Sequence, residues 1–419
     1  MRRPRIPWTV AAGSGEGGRL VGVDAVRGLA VLGMFAAHVG PGPGSSPAGF
    51  AVVAADGRAP ALFTLLAGFS LALAQRHRPA TRPAGSGSTL RPLLMRSAVL
   101  AALGLALASL WPGILVILAF FAFYFLAAEP FTRLSAPVLT AVAAVSTVAG
   151  PLLSFLLGPL FGYEVSGRGS VPELADLTSW SGAGRLLDAL LLSGAYPLLT
   201  YLPYVLVGMA LGRVGDLRDP AVARRMAGWG AVAAAAAYGT AWLAVEVAGG
   251  RERLLATIAA RHPEALGAED PLRAVLGRQF GAIPSTSWDW LLVAEPYSQT
   301  PLETIANAGV GCVLIGGFAL LARARLGVRL LRVPAALGAM ALSAYVIHAL
   351  VLAGPAYGAQ SGTALAAFCG TALCAAWAWQ RALAGRPLGR GPVEHLLRLA
   401  THGRTSPTKP VPAAVGSRA

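Results

Sequence analysis

The chain has 419 residues, 55% of them hydrophobic and 13% charged, with a formal net charge of +15. Average soluble domains carry about 25% charged residues, so a water-soluble core cannot account for this much apolar surface. The apolar residues fall in blocks of roughly 17–24 separated by polar punctuation, close to the ~20 residues a helix needs to cross ~30 Å of hydrocarbon. The implied fold class is all-α: a polytopic integral membrane helical bundle of about ten transmembrane helices.

Residues 1–20 form a Gly- and Arg-containing tail. Met1-Arg2-Arg3 resembles a charged leader, but the apolar run behind it lacks a small-residue cleavage pattern and is expected to stay as the first span. Spans are expected at about 22–41, 59–76, 93–111, 113–129, 136–158, 189–212, 227–248, 303–323, 333–353 and 362–384. With connections alternating sides, 25 of the 34 Lys and Arg share the side of the N-terminus, eight face the other way, and Arg27 lies inside a helix. This positive-inside asymmetry predicts both termini in the cytoplasm of a cell-membrane protein. No basic stripe or fold accompanies the charge, so nucleic acid is not an expected partner. The sequence leaves a homo-oligomer open.

Trp111-Pro112-Gly113 separates the third and fourth spans, because proline lacks the N–H a helix interior needs. Two outer segments, about 159–188 and 249–302, are long enough to act as lids or binding loops. Within the second, Leu254, Leu255, Ile258, Ala259 and Leu266 have near-helical spacing and predict a short surface helix. Trp288 and Trp290 are expected at the membrane–water boundary. Cys312, Cys369 and Cys374 all fall in apolar helices, without disulfide or metal spacing, and read as small core residues. After the last span, residues 391–399 form an amphipathic piece expected to anchor at the interface. Residues 403–419 read as a disordered tail.

Chemistry concentrates in the first span, where Asp24, Arg27 and His38 interrupt the apolar run. Ionisable groups in a membrane helix cost roughly 2.5–3.5 kcal/mol each on insertion scales, so they face a protein interior or a water-filled path. Eleven residues from Arg27 to His38 make three turns plus about 20°, which places both side chains on one face about 16 Å apart along the axis. Asp24 can pair with Arg27 as an i,i+3 neighbour. Gly28, Ala30, Gly33, Ala36 and Ala37 keep the helix slim. A guanidinium forks onto phosphate, and a neutral imidazole can take the proton of an attacking hydroxyl or amine. That pairing fits an acyl-CoA donor, with Asp24 and Arg27 at the CoA phosphates and His38 as general base or transient acyl carrier. The ninth span carries Ser343, Tyr345 and His348. His348 should reach the depth of His38, either as a second catalytic group or as a packed core histidine. Tyr196-Pro197 and Tyr201-Leu202-Pro203-Tyr204 suggest a kinked cavity wall.

The stretch from Arg19 through Val23-Asp24-Ala25-Val26-Arg27-Gly28 to His38 resembles the opening of the heparan-α-glucosaminide N-acetyltransferase catalytic family. Its Arg27 and His38, with ten residues between, are similar to the Arg/His motif of the wider transmembrane acyltransferase superfamily. Arg58 to Ser70 continues the likeness, which gives an acetyltransferase-like part at about 19–160 of a 21–385 membrane domain. Gly194-Ala195-Tyr196-Pro197, Gly208 to Arg213, Ser343-Ala344-Tyr345 and Gly391-Pro392-Val393-Glu394 resemble the C-terminal part of YeiB-like bacterial membrane proteins, over about 190–402. The resemblance implies transfer of an acyl group, most simply acetyl from acetyl-CoA, to a small-molecule, sugar or lipid acceptor at the outer face. The family motif carries over to Arg27 and His38 only. Arg58, Tyr196 and Tyr345 are the substrate-binding candidates. Nothing resembles a glycan-binding luminal domain, so heparan-type acceptors do not carry over. The alternative class is a transporter whose substrate path the same groups line.

Overall fold

The computed structural model describes residues 20–42, 44, 46–76, 90–161, 169–261, 263–276, 280–354 and 360–402. Both expected tails lie outside these residues. Among the described residues the chain is all-helical, without strands. Among the described residues, seven helical segments are long and apolar enough to cross a bilayer: Val21–Val39, Arg58–Gln75, Leu90–Ala108, Ala136–Leu160, Pro220–Val247, Pro301–Leu321 and Gly362–Ala382. A pair of shorter helices, Arg325–Ala339 and Ala341–Leu352, is bent by 66° at the break between them and counts as an eighth crossing only if the two form one span. The protein is therefore a membrane protein. Exposed Val145, Trp229 and Val232 suit a lipid surround, since bilayer contact removes the penalty that water would impose on them.

Three expected spans differ from the structure. Residues 111–117 are not helical, and the fourth span shortens to Leu118–Ala128. Irregular backbone at membrane depth survives only where protein covers it or a cavity adjoins it. Here Val116 and Ile117 are buried, and the Ile117 N–H donates to the Tyr345 hydroxyl at 3.1 Å. The sixth span starts with a π turn at Ala189–Ser193 and resumes as Leu198–Val214 behind Pro197. The ninth begins at Arg325, ahead of the expected 333, keeps Pro334 inside its helix and breaks at Met340.

We label the helices that position the site α1 (Val21–Val39), α2 (Pro47–Ala55), α3 (Arg58–Arg76), α4 (Leu90–Ala108), α5 (Leu118–Ala128), α6 (Ala136–Leu157), α7 (Trp180–Asp188), α8 (Leu198–Val214) and α9 (Pro220–Trp242). There follow α10 (Gly250–Arg261), α11 (Pro271–Leu276), α12 (Pro301–Leu321), α13 (Arg325–Ala339), α14 (Ala341–Leu352), α15 (Gly362–Ala382) and α16 (Pro392–His402). Helix α1 is central and packs against α2, α3, α12, α13, α14 and α15. Its approach to α13 needs glycine: a Cβ at Gly28 would sit 2.0 Å from the Pro334 carbonyl oxygen. Without a hydrophobic drive between helices in lipid, such close backbone contact is what holds the pair.

The long segment 249–302 is a folded cap with its own small core, not a loose loop. The predicted surface helix is α10, whose Leu254 and Ile258 pack with Phe155, Leu272, Leu276 and Ile283. Trp290 belongs to this core and donates its indole N–H to Thr286 at 2.9 Å, which corrects its expected boundary position. Trp288 is exposed, its ring against Phe155. The amphipathic 391–399 piece becomes α16, which docks on α4 and α14. Its Glu394 accepts from the N–H groups of Leu342 and Ser343 at 2.8 and 3.2 Å and from the Ser343 hydroxyl. A carboxylate thus caps the N-terminus of α14 just past the break, where amide donors and helix dipole both favour an anion.

Candidate functional site

Helix α1 carries two polar stations. At the first, Arg27 donates to Asp24 at 3.0 Å and to the Ser70 hydroxyl of α3 at 2.9 Å. The Arg27 side chain keeps 26% exposure against 11% for Asp24, so the pair is covered on one side and reachable on the other. Arg96 of α4 lies near enough for the two guanidinium charges to repel. Its guanidinium sits 4.1 Å over the Phe125 ring, and its buried Nε has no hydrogen-bond partner among the described residues. Two arginines with one aspartate leave this station in excess of positive charge.

At the second station His38 Nδ1 and His348 Nε2 share a hydrogen bond of 2.9 Å. The rings are nearly parallel, 10° apart, with centroids at 5.2 Å. Phe35 and Phe368 pack on the His348 ring, and its Nδ1 is buried without a hydrogen-bond partner among the described residues. The bend between α13 and α14 brings His348 onto α1.

His38 lines a cavity of about 350 Å³ whose walls include Asp56, Tyr196, Tyr297, Arg273 and Gln360. Residues 113–115 of the non-helical stretch form part of the same wall. Of the sequence candidates, His38 and Tyr196 line this cavity and His348 is bonded to His38 behind its wall, while Arg27 and Asp24 stand at the other station. Tyr345 is not in the wall; it supports the 111–117 stretch through Ile117. Arg58 also stands behind the wall, donating to the Tyr238 hydroxyl and the Val53 carbonyl, both at 3.0 Å.

One element of the site was not anticipated from the sequence. Buried Glu303, in the first turn of α12, accepts from the Tyr297 N–H at 2.9 Å, the Asn307 amide at 3.2 Å, the Ser298 hydroxyl at 3.3 Å and the Gln299 N–H. Tyr297 and Gln299 both adopt left-handed backbone, with φ of 64° and 57°. Such conformations cost about 1–3 kcal/mol each for non-glycine residues and persist only where the surroundings over-determine them. Glu303 is that constraint. The clamped loop hands the Tyr297 hydroxyl to Asp56, whose carboxyl is pushed up by burial although Tyr297, Gly57 and two arginines pull it down. Gly57, at φ +67°, permits the contact, since a Cβ there would lie 2.8 Å from the Pro296 Cα. A signal was present in Thr300-Pro301-Leu302-Glu303, the spacing of a capping box ahead of an apolar run. Thr300 does cap α12, accepting from the Glu303 N–H.

The fold and site define a polytopic helical membrane protein with a histidine pair at a polar cavity and a cationic station three turns away on the same helix. Residues 274–404 match the family model described as "Protein of unknown function (DUF418)", a family associated with YeiB-like membrane proteins. The match spans α12 to α16, including Glu303, His348 and Glu394. No curated protein matches the chain.

Proposed function

We propose that the protein is a membrane-bound acyltransferase that moves an acyl group, most simply acetyl, from cytoplasmic acyl-CoA to a hydroxyl or amine acceptor at the outer side of the cell membrane. The observation that carries this reading is the hydrogen-bonded His38–His348 pair at a polar cavity, on the helix whose other station holds Arg27. Arg27 and Arg96 suit the CoA phosphates, because a fork of donors in excess of its carboxylate partner attracts a polyanion.

In the chemical step the acceptor oxygen or nitrogen attacks the thioester carbon while His38 takes its proton. For His38 to do so through Nε2, its Nδ1–H must donate to His348 Nε2. His348 then fixes the tautomer and stabilises the imidazolium, the part a carboxylate plays in a serine-type triad. Collapse of the tetrahedral intermediate breaks the C–S bond. The departing thiolate receives the proton back from His38, leaving CoA thiol, acylated acceptor and neutral histidine. Asp56 and Tyr297 lie in the cavity wall where an acceptor hydroxyl or amine would be held.

The break between α13 and α14 favours the alternative, since interrupted helices line substrate paths in transporters. The two readings separate when purified protein in lipid nanodiscs is given acetyl-CoA labelled in the acetyl group, together with sugar and lipid fractions. The acyltransferase reading expects label in an acceptor fraction and release of CoA thiol. Intact acetyl-CoA, with one of those fractions bound, would favour the transporter.

A further inference from the structure

A second cavity of about 210 Å³ adjoins the first, walled by Tyr238 and Trp242 of α9 together with Glu246, Arg251 and Asp270. Arg273 and Glu295 belong to the walls of both cavities. Their side chains form a loose ion pair at 3.9 Å and are 59% and 41% exposed, so the partition consists of two long, solvated side chains and not of packed core. Elsewhere in the second chamber the charges are fixed. Arg251 donates to Glu246 at 2.6 and 2.8 Å and to Asp270 at 3.3 Å, and Asp270 also accepts from the N–H of Arg273 at 3.2 Å. Arg58 holds Tyr238 in place through its hydroxyl and lies 5.4 Å from its ring centre.

Size and charge together point to how the chambers are used. Small-molecule sites run from roughly 300 to 1,000 Å³, so the first chamber stands at the lower end of that range and the second falls below it alone. Across both, four carboxylates (Asp56, Glu246, Asp270 and Glu295) face two guanidiniums in the walls (Arg251 and Arg273) and a third, Arg58, behind Tyr238, a balance that still leaves one carboxylate in excess. That excess disfavours an anionic acceptor. Charged walls also disfavour a hydrocarbon chain, which gains nothing by leaving the bilayer for them. Aromatic faces in each chamber suit ring-shaped or CH-rich polar compounds.

We propose that the two chambers are subsites of one acceptor cleft joined at Arg273–Glu295, and that the cleft takes an elongated, hydroxyl- or amine-bearing compound without net negative charge. Its reacting end lies in the His38 chamber and the remainder in the Trp242 chamber. This inference rests on the acyl-transfer reading for the word acceptor, but its test does not depend on turnover.

The test uses full-length protein in nanodiscs with Cys312, Cys369 and Cys374 replaced by alanine, carrying Val53→Cys in the His38 chamber or Ala241→Cys in the Trp242 chamber. Each is labelled with a cationic and an anionic methanethiosulfonate of equal size. Both positions should react about tenfold faster with the cationic reagent, the size of local enrichment expected in a charged cleft. Replacing Arg273 and Glu295 together by alanine should speed labelling of both Val53→Cys and Ala241→Cys by a bulky reagent severalfold, since the two side chains wall both chambers. Equal rates for the two reagents would overturn the charge assignment. An unchanged Val53→Cys rate in the double variant would overturn the connection. Neither outcome bears on acetyl-CoA cleavage, so failure of the cleft and failure of the acyltransferase reading are told apart.

Discussion

The two polar stations on α1 differ in how much of their surroundings they need. Arg27 finds its partners locally: Asp24 one turn away on the same helix and Ser70 on the neighbouring α3. His38 is completed by elements from across the chain, including His348 on α14 and, around the cavity, Asp56, Tyr196 and Tyr297. A station closed by short-range pairing tolerates change elsewhere. One assembled from a broken helix, a non-helical stretch and a strained loop depends on each of them.

The sharpest way to break this contrast is at the histidines. His38→Ala should insert and bind CoA, with acyl transfer falling about 10²–10⁴-fold, the usual cost of losing a positioned general base. His348→Gln should cost less, because His38 survives and loses only the partner that fixes its tautomer. Initial rates with labelled acetyl-CoA give both values. If His38→Ala keeps more than about a tenth of the rate, the base assignment is wrong.

Next in size is the clamp. Glu303→Ala strips several buried donors of their acceptor and should lower stability by about 3 kcal/mol, read as a fall in the thermal midpoint in detergent. Loss of the Tyr297–Asp56 contact should follow. A midpoint within error of wild type would mean that something other than Glu303 holds the left-handed loop.

Arg27→Lys keeps the charge but loses the fork. CoA affinity should drop about tenfold, or ~1.4 kcal/mol, with the fold intact. Unchanged affinity in a binding titration would remove Arg27 from the donor site.

The smallest effect is expected at Glu394. Burial raises its carboxyl above the ordinary value of 4.5, outweighing the hydrogen bonds from Ser343 and Leu342. A raised folded-state value means that the native state holds the proton more tightly than the unfolded chain. Its contribution to stability is therefore full below 4.5 and is lost as pH rises through the shifted value. Glu394→Gln should flatten that part of the profile of thermal midpoint against pH. A profile identical to wild type would show that Glu394 does not titrate differently on folding.

What the sequence made legible follows the same division. The three ionisable groups of α1 and their shared face were readable because helical period and membrane cost act within one segment. His348 was found as a residue, but its pairing with His38 comes with a 66° break that the unbroken apolar run of 333–353 does not announce. The turn at Trp111-Pro112-Gly113 was legible, but residues 114–117 read as helix because their composition is apolar; in the structure they are not helical, and the Ile117 N–H is bonded to Tyr345, more than two hundred residues away. Tyr297 and Glu303 went unnoticed because their role is a backbone conformation and its clamp, which hydrophobic pattern does not encode. The surface helix within 249–302 was foreseen from Leu254 and Ile258. The fate of Trp290 was not, since an indole suits a boundary and a small core equally well until its neighbours are known.

In the proposed reaction, a donor held at the Arg27 end and an acceptor held at the His38 end meet through one helix bundle. Sealed proteoliposomes with candidate acceptors only in the lumen and acetyl-labelled CoA only outside test it directly, with the Arg27 end oriented outward. Label should appear on a luminal acceptor with wild-type protein and not with His38→Ala. Label that appears only when donor and acceptor share one side of the membrane would contradict it.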